Sequence, residues 1–395
     1  MLLKRIEPLK ENYQKLEVSE LSTKEIDQAI NECLQKIDQN MAIFGEKFPA
    51  PATKNQNYQV IDNTEWTTAF WTGILWIAYD ITKENKYKDL AEKHIESFSR
   101  RLSQNIEINH HDLGFLYTLS CVSCYKITGN SQARELSISA ADKLVERFQN
   151  KGKFIQAWGD LDDSNEYRLI VDCLLNLPLL HWSYEETGDD IYKAVAEKHY
   201  KTTIKYAIRE NASAFHTYYF DPTTGQPLYG KTKQGFSDDS SWARGQSWLI
   251  YGIALNQHYC RKEENIKLYE AVTNYFLNRL PSDLICFWDL IFEEGSDQPR
   301  DTSASAITLC GMNEMEKYLA DNHPMKEMYH NIQQVMLRNL INRYTEKKGT
   351  GAVALINEGV YSWHSGKGVN EGNIWGDYFY MEALVRHKKN WQLFW

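Results

Sequence analysis

The chain repeats one pattern six times: a densely apolar segment, a turn, and in the first five repeats a more polar segment. The apolar segments begin near Trp66, Asp112, Asp172, Ser241, Asp301 and Asp377. In the polar segments, apolar residues recur every three or four positions, as in a helix with one buried stripe. A helix that is apolar almost all round must be buried on every side. The repeat therefore predicts an inner set of helices covered by an outer set.

Six such helical hairpins fit an all-α fold, an (α/α)6 barrel, and continuous strand signals are few. The clearest outer segments are 87–102, 132–148 and 190–208. The sixth inner segment reaches Trp395 without a partner, so we expect residues 20–44 to supply its outer helix. An open α-solenoid is the structural alternative, but a closed ring hides the inner helices better. We predict one barrel domain over residues 1–395.

The connections between hairpins differ in length. Turns from inner to outer helix are short, whereas the returns to the next inner helix are long, at roughly 150–171, 211–240, 281–300 and 343–376. In an array of hairpins all returns lie at one end, together with the N-termini of the inner helices. Long connections on one face usually mark the binding face. This places a cleft beside Asp112, Asp172 and Arg244.

Composition and charge exclude several classes of protein. The chain has 44 Lys and Arg against 53 Asp and Glu, a net charge of −9 and 43% hydrophobic residues, which is typical of a globular protein that binds neither nucleic acid nor a membrane surface. No window is apolar enough to span a bilayer, and the N-terminus is not a secretory signal. Seven scattered cysteines indicate reduced thiols. We expect a cytoplasmic protein.

Asp112 and Asp172 each open an inner segment. Aspartate is a favoured helix N-cap, so capping alone could explain both residues. Asp172, however, lies between apolar neighbours, Ile170 and Val171 before it and residues 173–175 after it. A carboxyl group in such surroundings is partly desolvated, which raises its pKa toward values useful to a general acid. Two acids at the same end of a barrel could serve one glycosidase site.

Three further features leave alternatives open. Arg244 enters a buried segment and needs a partner, either a structural carboxylate or an anionic ligand. His216 could donate to a ligand hydroxyl or be a plain loop residue. The segment 361–372 could hold a sulfate through Ser hydroxyls and Lys367, or be a flexible loop with glycines for turns. His110 and His111 beside Asp112 lack metal-ligand spacing, and no known metal or nucleotide motif is present.

Three motifs resemble unsaturated glucuronyl hydrolases, glycoside hydrolase family 88. They are His-Asp-Leu-Gly-Phe at 111–115, Asp-Cys-Leu-Leu-Asn-Leu-Pro-Leu-Leu at 172–180 and Ser-Ser-Trp-Ala-Arg-Gly-Gln-Ser-Trp at 240–248. They occur in family order, and the resemblance runs from about residue 43 to 386. It implies an (α/α)6 barrel that removes a 4,5-unsaturated uronic acid from the non-reducing end of oligosaccharides left by polysaccharide lyases.

The resemblance also assigns roles. Asp172 matches the general acid and base, which protonates C4 of the double bond and then activates water for C5, and Asp112 matches the second essential acid. It implies neither a metal nor an organic cofactor. The expected sugar-binding residues are Trp66, Phe70, Trp158, His216, Gln234, Arg244 and Trp248.

Ser362, Ser365 and Lys367 resemble the sulfate-holding loop of streptococcal members. The predicted substrates are therefore unsaturated glycosaminoglycan disaccharides from chondroitin, heparin or hyaluronan, with sulfated forms preferred. A local cationic pocket can attract them despite the net negative charge, because solvent screens distant charges. Two alternatives remain: a sibling hydrolase of unsaturated rhamnogalacturonan fragments, and a non-catalytic helical-repeat protein that binds a sugar or a protein. The oligomeric state is left open.

Overall fold

A computed structural model describes residues 4–345, 353–391 and 393–395. Helices account for most of it. Their bounds are α1 (Thr23–Phe44), α2 (Thr68–Thr82), α3 (Asn85–Ser103), α4 (Leu113–Tyr117), α5 (Ser123–Thr128), α6 (Ser131–Glu146), α7 (Pro178–Thr187), α8 (Asp190–Tyr206), α9 (Ala243–Cys260), α10 (Glu263–Leu277), α11 (Thr302–Glu316), α12 (Lys326–Asn339) and α13 (Ile374–Lys388).

The inner helices form a closed ring. In order around it lie α2, the α4–α5 pair, α7 with the 3-10 turn before it, α9, α11 and α13, and α13 packs against α2 to close the ring. The outer helices are α3, α6, α8, α10, α12 and α1. The packing of α1 against α13 matches the expectation that residues 20–44 complete the sixth hairpin. A ring closed by its first and last inner helices is a barrel and not an open solenoid.

The inner helices are buried because they lack a polar face. Every residue of α9 from Ala243 to Gln257 is buried, whereas α3 buries residues at three- and four-residue intervals from Tyr87 to Leu102. The ring is tight enough that a Cβ on Gly311 of α11 would lie 2.7 Å from the Cα of Tyr251 on α9. Glycine is needed there to let the two helix backbones approach.

Two inner helices are not continuous, which the repeat does not predict. A π-helical turn, Thr118–Val122, joins α4 to α5, and a 3-10 turn, Val171–Leu175, precedes α7. Pro178 begins α7 because its missing N–H is no loss in the first helical turn. The 3-10 turn lies at the end of its inner segment nearest the long returns, whereas the π-helical turn lies within its segment, after α4.

Short antiparallel strands lie in the connections between the hairpins. They are β1 (Phe48–Pro49), β2 (Val60–Ile61), β3 (Phe148–Gln149), β4 (Phe154–Ile155), β5 (Arg168–Ile170), β6 (Thr217–Phe220), β7 (Pro227–Lys231), β8 (Gly359–Ser362) and β9 (Lys367–Glu371). The sheets are β1–β2, β3–β4, β5–β6–β7 and β8–β9. The sequence gives little sign of them because each has two to five residues. The three-stranded sheet joins two different returns, so it fixes the segment before Asp172 against the segment of His216.

The other end of the barrel is filled by the last residues. Trp395 is buried and stacks on Phe379 with a ring separation of 5.8 Å. Its indole N–H donates to Glu382 over 3.0 Å. None of the helices described is long and apolar enough to cross a membrane. All seven cysteines lie in the described residues; they form no disulfide, and six are buried.

Candidate active site

The N-terminal ends of the inner helices bring the predicted acids together. Asp112 directly precedes α4, Asp172 lies in the 3-10 turn before α7, and Arg244 lies in the first turn of α9. The long returns meet at this end, as the lengths of the connections predict. Asp172 has a side chain that is 17% exposed, whereas Asp112 and His111 are almost fully buried.

A histidine joins the two carboxyl groups. The Nε2 atom of His111 lies 3.3 Å from Asp112 Oδ1 and also 3.3 Å from Asp172 Oδ1. On the other side of Asp112, His110 Nδ1 lies 3.4 Å from Oδ2 and accepts the Asp112 backbone N–H over 3.1 Å. The two acids therefore share one buried imidazole. The sequence motif contains this histidine, but its spacing gives no sign that it reaches Asp172.

Local packing sets how closely the acids approach. A Cβ on Gly114 would lie 2.3 Å from the Cα of Asn176, so only glycine fits between α4 and the 3-10 turn. Asn176 in turn accepts the backbone N–H of Phe115 over 2.8 Å through Oδ1. The backbone N–H of His111 donates to Ala157 over 2.7 Å. These contacts hold the two acid-bearing segments side by side.

Burial disfavours the ionised form of both Asp112 and Asp172. It raises the pKa of Asp172 to about 7, although Arg168 and Arg244 nearby pull it down. Burial, and then the charge of Asp172, raise the pKa of Asp112 well above its usual range. Burial, with the surrounding cations, holds the pKa of His111 well below its normal value. Near neutral pH the cluster therefore carries a neutral imidazole and at least one protonated carboxyl group.

The structure does not support helix capping as the role of the acids. The Asp112 side chain occupies the N-cap position of α4 but makes no capping hydrogen bond. Asp172 lies inside its 3-10 turn, whose cap position is Ile170. Neither carboxylate satisfies a helix terminus, so the cost of burying both needs another explanation.

Arg244 has a structural carboxylate as its partner. Its Nη1 donates to Asp301 Oδ2 over 2.6 Å, and its Nη2 donates to the backbone oxygen of Tyr361 over 2.8 Å and to Gln234 Oε1 over 3.0 Å. The guanidinium lies 4.4 Å from the ring centre of Trp242. Of the two alternatives, the structure therefore favours the internal ion pair. Arg244 also ties the β8–β9 hairpin to the barrel.

Two half-buried tryptophans flank the acid cluster. Trp66 donates its indole N–H to the Tyr361 hydroxyl over 3.0 Å and stacks on Trp375 at 5.5 Å. Trp158 stacks on His110 with a ring separation of 4.5 Å. Both rings are fixed by aromatic neighbours, and both keep some exposed surface. They can offer apolar faces to a sugar ring.

Phe70 and Trp248, which the resemblance includes among the sugar-binding residues, are buried. Their side chains are 0% and 1% exposed, and both pack on Phe115, at 5.4 and 5.5 Å. They support the aromatic layer beneath the site and offer a ligand no exposed surface. Both residues lie on inner helices that are buried on all sides, so their rings pack in the barrel core. A direct contact with sugar stays a prediction for both residues.

His216 and Gln234 present polar groups nearby. The Nδ1 atom of His216 accepts the Lys233 backbone N–H over 2.8 Å, so its ring proton lies on Nε2. Burial lowers the pKa of His216 to about 3, so the ring is a neutral donor. Its backbone oxygen accepts the N–H of Val171, beside Asp172. Gln234 is half-buried and bound to Arg244.

The segment 361–372 is largely an ordered hairpin and not a flexible loop. Ser362 of β8 is paired with Lys367 of β9, and Ser365 lies in the exposed turn between them. Trp363 in this turn stacks on Trp288 with a ring separation of 5.0 Å and an interplanar angle of 9°. The fold therefore brings the three predicted sulfate-binding side chains to one hairpin tip.

Sequence reasoning missed Arg168. This residue begins β5, four positions before Asp172, and its side chain is 5% exposed. Its Nη2 donates to Glu166 over 2.6 Å, whereas Nε and Nη1 are buried with no hydrogen-bond partner in the described part of the chain. Its charge lowers the pKa of both Asp172 and His216. The available signal was an arginine directly before the apolar run 169–171, which leads into Asp172.

The same cluster contains side-chain types that bind metals in other proteins. One ligand-type atom each from His111, Asp112 and Asp172 lies within 4.8 Å of the others. The raised pKa values of both carboxyl groups favour protonated forms, which a cation would have to displace. Protonated carboxyl groups are better suited to proton transfer than to binding a cation. The absence of a metal requirement stays a prediction.

A helical barrel that opens on two desolvated carboxyl groups fits the acid–base chemistry of a glycosidase. Comparison with known proteins agrees. The model of Glycosyl Hydrolase Family 88 matches residues 43–354, and the chain belongs to this family. The predicted fold and enzyme class are thereby confirmed, and the non-catalytic alternative is not supported.

Several relatives are similar over almost the whole chain. The unsaturated chondroitin disaccharide hydrolase of Streptococcus pneumoniae is 52% identical, over 99% of this chain and 98% of that protein. The unsaturated glucuronyl hydrolase of Bacillus sp. GL1 is 38% identical over 93% of this chain and 98% of that protein. The crystal structure of the Streptococcus agalactiae unsaturated glucuronyl hydrolase superposes with a TM-score of 0.95 at 50% identity, covering 99% and 100% of the two chains.

Proposed function

We propose that this protein hydrolyses unsaturated glycosaminoglycan disaccharides and releases the 4,5-unsaturated uronic acid from their non-reducing end. The observation that carries the proposal is the desolvated pair, Asp112 and Asp172, at the mouth of the barrel. The streptococcal relatives named as unsaturated chondroitin disaccharide hydrolases support it. So does a mutant of the S. agalactiae enzyme solved in complex with dGlcA-GalNAc6S.

The chemistry begins at the enol ether. Asp172, protonated because burial raises its pKa to about 7, gives its proton to C4 of the C4=C5 double bond. Positive charge then develops at C5 and is shared with the ring oxygen. The Asp172 carboxylate takes a proton from a water molecule as the water oxygen bonds to C5. The hemiketal that results opens, and the remaining sugar leaves at the anomeric carbon. Asp172 ends protonated, so one group serves as acid and then as base.

The surrounding groups orient the sugar. Asp112 accepts hydrogen bonds from ring hydroxyls, and the partial negative charge on its carboxyl oxygens stabilises the positive charge at C5. Trp66 and Trp158 offer ring faces, His216 offers its Nε2–H, and Gln234 offers its amide. Arg244 holds Gln234 and the hairpin in place, and Phe70 and Trp248 support the layer below. Holding the ring in one orientation is itself a large part of the rate acceleration.

The β8–β9 hairpin supplies sulfate recognition. Ser362, Ser365 and Lys367 lie at its tip, and Lys367 Nζ lies 4.4 Å from the ring centre of Tyr361. Two hydroxyls and an ammonium suit a sulfate ester, which offers acceptor oxygens and negative charge. Sulfated disaccharides are therefore the preferred substrates. If the substrates were unsaturated rhamnogalacturonan fragments, the hairpin tip would have no sulfate to bind.

Two broader parts of the proposal follow from the whole chain. The barrel uses α1 near one end of the sequence and α13 near the other, which supports a single domain over residues 1–395. Seven thiols without a disulfide support a cytoplasmic location.

The test is direct. Purified protein is mixed with unsaturated chondroitin disaccharides, and the ultraviolet absorbance of the conjugated double bond is followed. We expect decay with the wild type, and loss of at least about a hundredfold in rate for Asp172→Asn, with unchanged helical circular dichroism. A side-by-side assay on pectin-derived unsaturated disaccharides separates the alternative. No decay with any unsaturated uronide would overturn the proposal.

A further inference from the structure

His111 is a buried group whose purpose the reaction above leaves open. Its Nε2 lies equally far, 3.3 Å, from Asp112 Oδ1 and Asp172 Oδ1. Within the described residues, those two oxygens and both ring nitrogens of His111 are buried without a hydrogen-bond partner. A buried polar atom without a partner is costly, and here four such atoms belong to three neighbouring side chains. The arrangement indicates that these atoms form hydrogen bonds with one another during the reaction.

The neutral His111 ring can carry its proton on either nitrogen. A neutral imidazole has one donor nitrogen and one acceptor nitrogen. No described group fixes the proton on Nδ1, whereas two carboxyl oxygens face Nε2. A proton on Nε2 therefore lies between two acceptors. A small movement of the ring that shortens and aligns either contact would form a hydrogen bond, and such contacts tighten in substrate complexes.

Charges on several elements face this cluster. Asp172 is faced by Arg168 on β5 and Arg244 on α9. Around Asp112 and His111 lie His110, Arg101 on α3, Arg147 after α6, and His199 on α8. The arginines act on the cluster as nearby charges, whereas His111 Nε2 lies 3.3 Å from the Asp172 oxygen that has no hydrogen-bond partner.

We propose that His111 is a positioning residue whose Nε2–H bridges Asp112 and Asp172 and stabilises the carboxylate that Asp172 becomes on giving its proton to the substrate. This inference rests on the proposed function. Charge appears on Asp172 only after proton transfer, so the contact strengthens as the reaction proceeds. Interactions of that kind raise kcat more than they lower KM. Stabilising the carboxylate also keeps the pKa of Asp172 from rising further with burial.

The experiment compares His111→Gln with His111→Asn. The glutamine Nε2 can reach the place of the imidazole Nε2, whereas the asparagine amide stops near the place of Nδ1. We expect the Gln variant to keep kcat within about tenfold. We expect the Asn variant to lose about a hundredfold in kcat, as when one preorganised donor is removed, with KM within about twofold. In the pH profile of kcat, the alkaline limb of the Asn variant should move up by about one pH unit, which corresponds to a tenfold change in the proton affinity of Asp172.

His94→Asn is the matched control. His94 is a buried histidine on α3 whose Nδ1 lies 3.0 Å from the Thr72 hydroxyl, away from the acids. It should leave kcat and the pH profile unchanged. If His111→Asn does not fold, His111→Met, which fills the space without a donor, takes its place.

Three results would contradict the inference. One is a donor-less variant with the kcat and alkaline limb of the wild type. Another is an equal loss in both variants without a pH shift, which a purely structural role would give. A third is loss of wild-type turnover on chelation with recovery on adding zinc, because the cluster would then be a metal site. An inactive wild type would overturn the proposed function instead.

Discussion

Asp172 is under two opposing electrostatic influences. Burial raises its pKa, and the guanidinium groups of Arg168 and Arg244 lower it. The balance near 7 leaves the group able both to give and to take a proton under mild conditions. At the scale of one residue, the chemistry therefore depends on side chains from two other elements.

The first prediction concerns pH. The general acid must begin protonated, so kcat/KM should fall as pH rises through about 7, the pKa of Asp172. Arg168→Gln removes a positive charge that favours the carboxylate, so the pKa of Asp172 should rise and the alkaline limb should move upward. A pH profile of kcat/KM on an unsaturated disaccharide measures this.

The control for Arg168 is Arg134→Gln. Arg134 pairs with Glu186 over 2.8 Å on the outer surface of the barrel. Removing its charge should leave the alkaline limb of the kcat/KM profile where it is in the wild type. A downward shift in the Arg168 variant would contradict the electrostatic account. Circular dichroism checks that losing the bond to Glu166 does not unfold the protein.

At the scale of elements, the approach of α4 to the 3-10 turn sets the separation of the acids. Gly114→Ala places a methyl group 2.3 Å from the Cα of Asn176, so the two segments must move apart. We expect a loss of about 1–3 kcal/mol in the free energy of unfolding, as for overpacking in general. We also expect a fall of at least about tenfold in kcat, because misplaced acid groups lose rate steeply.

Denaturant unfolding and steady-state kinetics test the Gly114 prediction together. A variant with normal stability and normal kcat would show that the backbone tolerates the methyl group. Loss of stability with an unchanged kcat would show that the separation of the acids is not limiting.

The β8–β9 hairpin makes a separate prediction. Lys367→Ala should weaken kcat/KM for sulfated disaccharides more than for unsulfated ones, since only the sulfate uses the charge at the tip. The expected difference is about three- to tenfold, because the ammonium is exposed and screened by solvent. A panel of disaccharides differing only in sulfation measures it.

Lys193→Ala is the comparison for the hairpin. Lys193 is an exposed lysine on the outer helix α8, so its removal changes net charge equally but should not affect selectivity. Equal losses on both kinds of substrate for Lys367→Ala would argue against sulfate binding.

At the scale of the whole molecule, the end of the barrel away from the site contains a buried ion network. Arg386 near the end of α13 bonds to Glu382 and to Glu314 of α11, each over 2.8 Å. The Trp395 indole donates to the same Glu382. The network links two inner helices to the last residues, far from the acids at the helix N-termini.

Arg386→Met should leave the buried carboxylate of Glu382 without its cation. It should also remove one of the cations of Glu314, which keeps its pair with Lys317. We expect the free energy of unfolding to drop by about 3–5 kcal/mol, as when one partner of a buried pair is removed. The KM of the folded variant should stay unchanged, because the site lies at the opposite end. Thermal unfolding measures the loss. Lys93→Gln, which breaks an exposed pair with Glu46, should change the stability far less, because solvent screens the pair.

The number of hairpins, the closed ring and the outer partner of the sixth hairpin could be predicted from the sequence, because burial patterns repeat along the chain. The place of Asp112 and Asp172 at the mouth followed from the lengths of the returns. The π-helical turn between α4 and α5 and the 3-10 turn before α7 could not be predicted, because both lie within apolar segments that read as continuous helix. Phe70 and Trp248 show the same limit, since a motif position does not reveal which ring faces the core.

The sequence by itself determined the order of helices and the family, and it predicted which two acids carry the reaction, because those follow from residue types and their spacing along one chain. Only the tertiary structure decided that His111 lies between Asp112 and Asp172, and that Arg244 is paired with Asp301. Those contacts join residues far apart in sequence, and their geometry depends on how whole elements pack. Desolvation, which gives the carboxyl groups their raised pKa values, is likewise a property of the packed barrel.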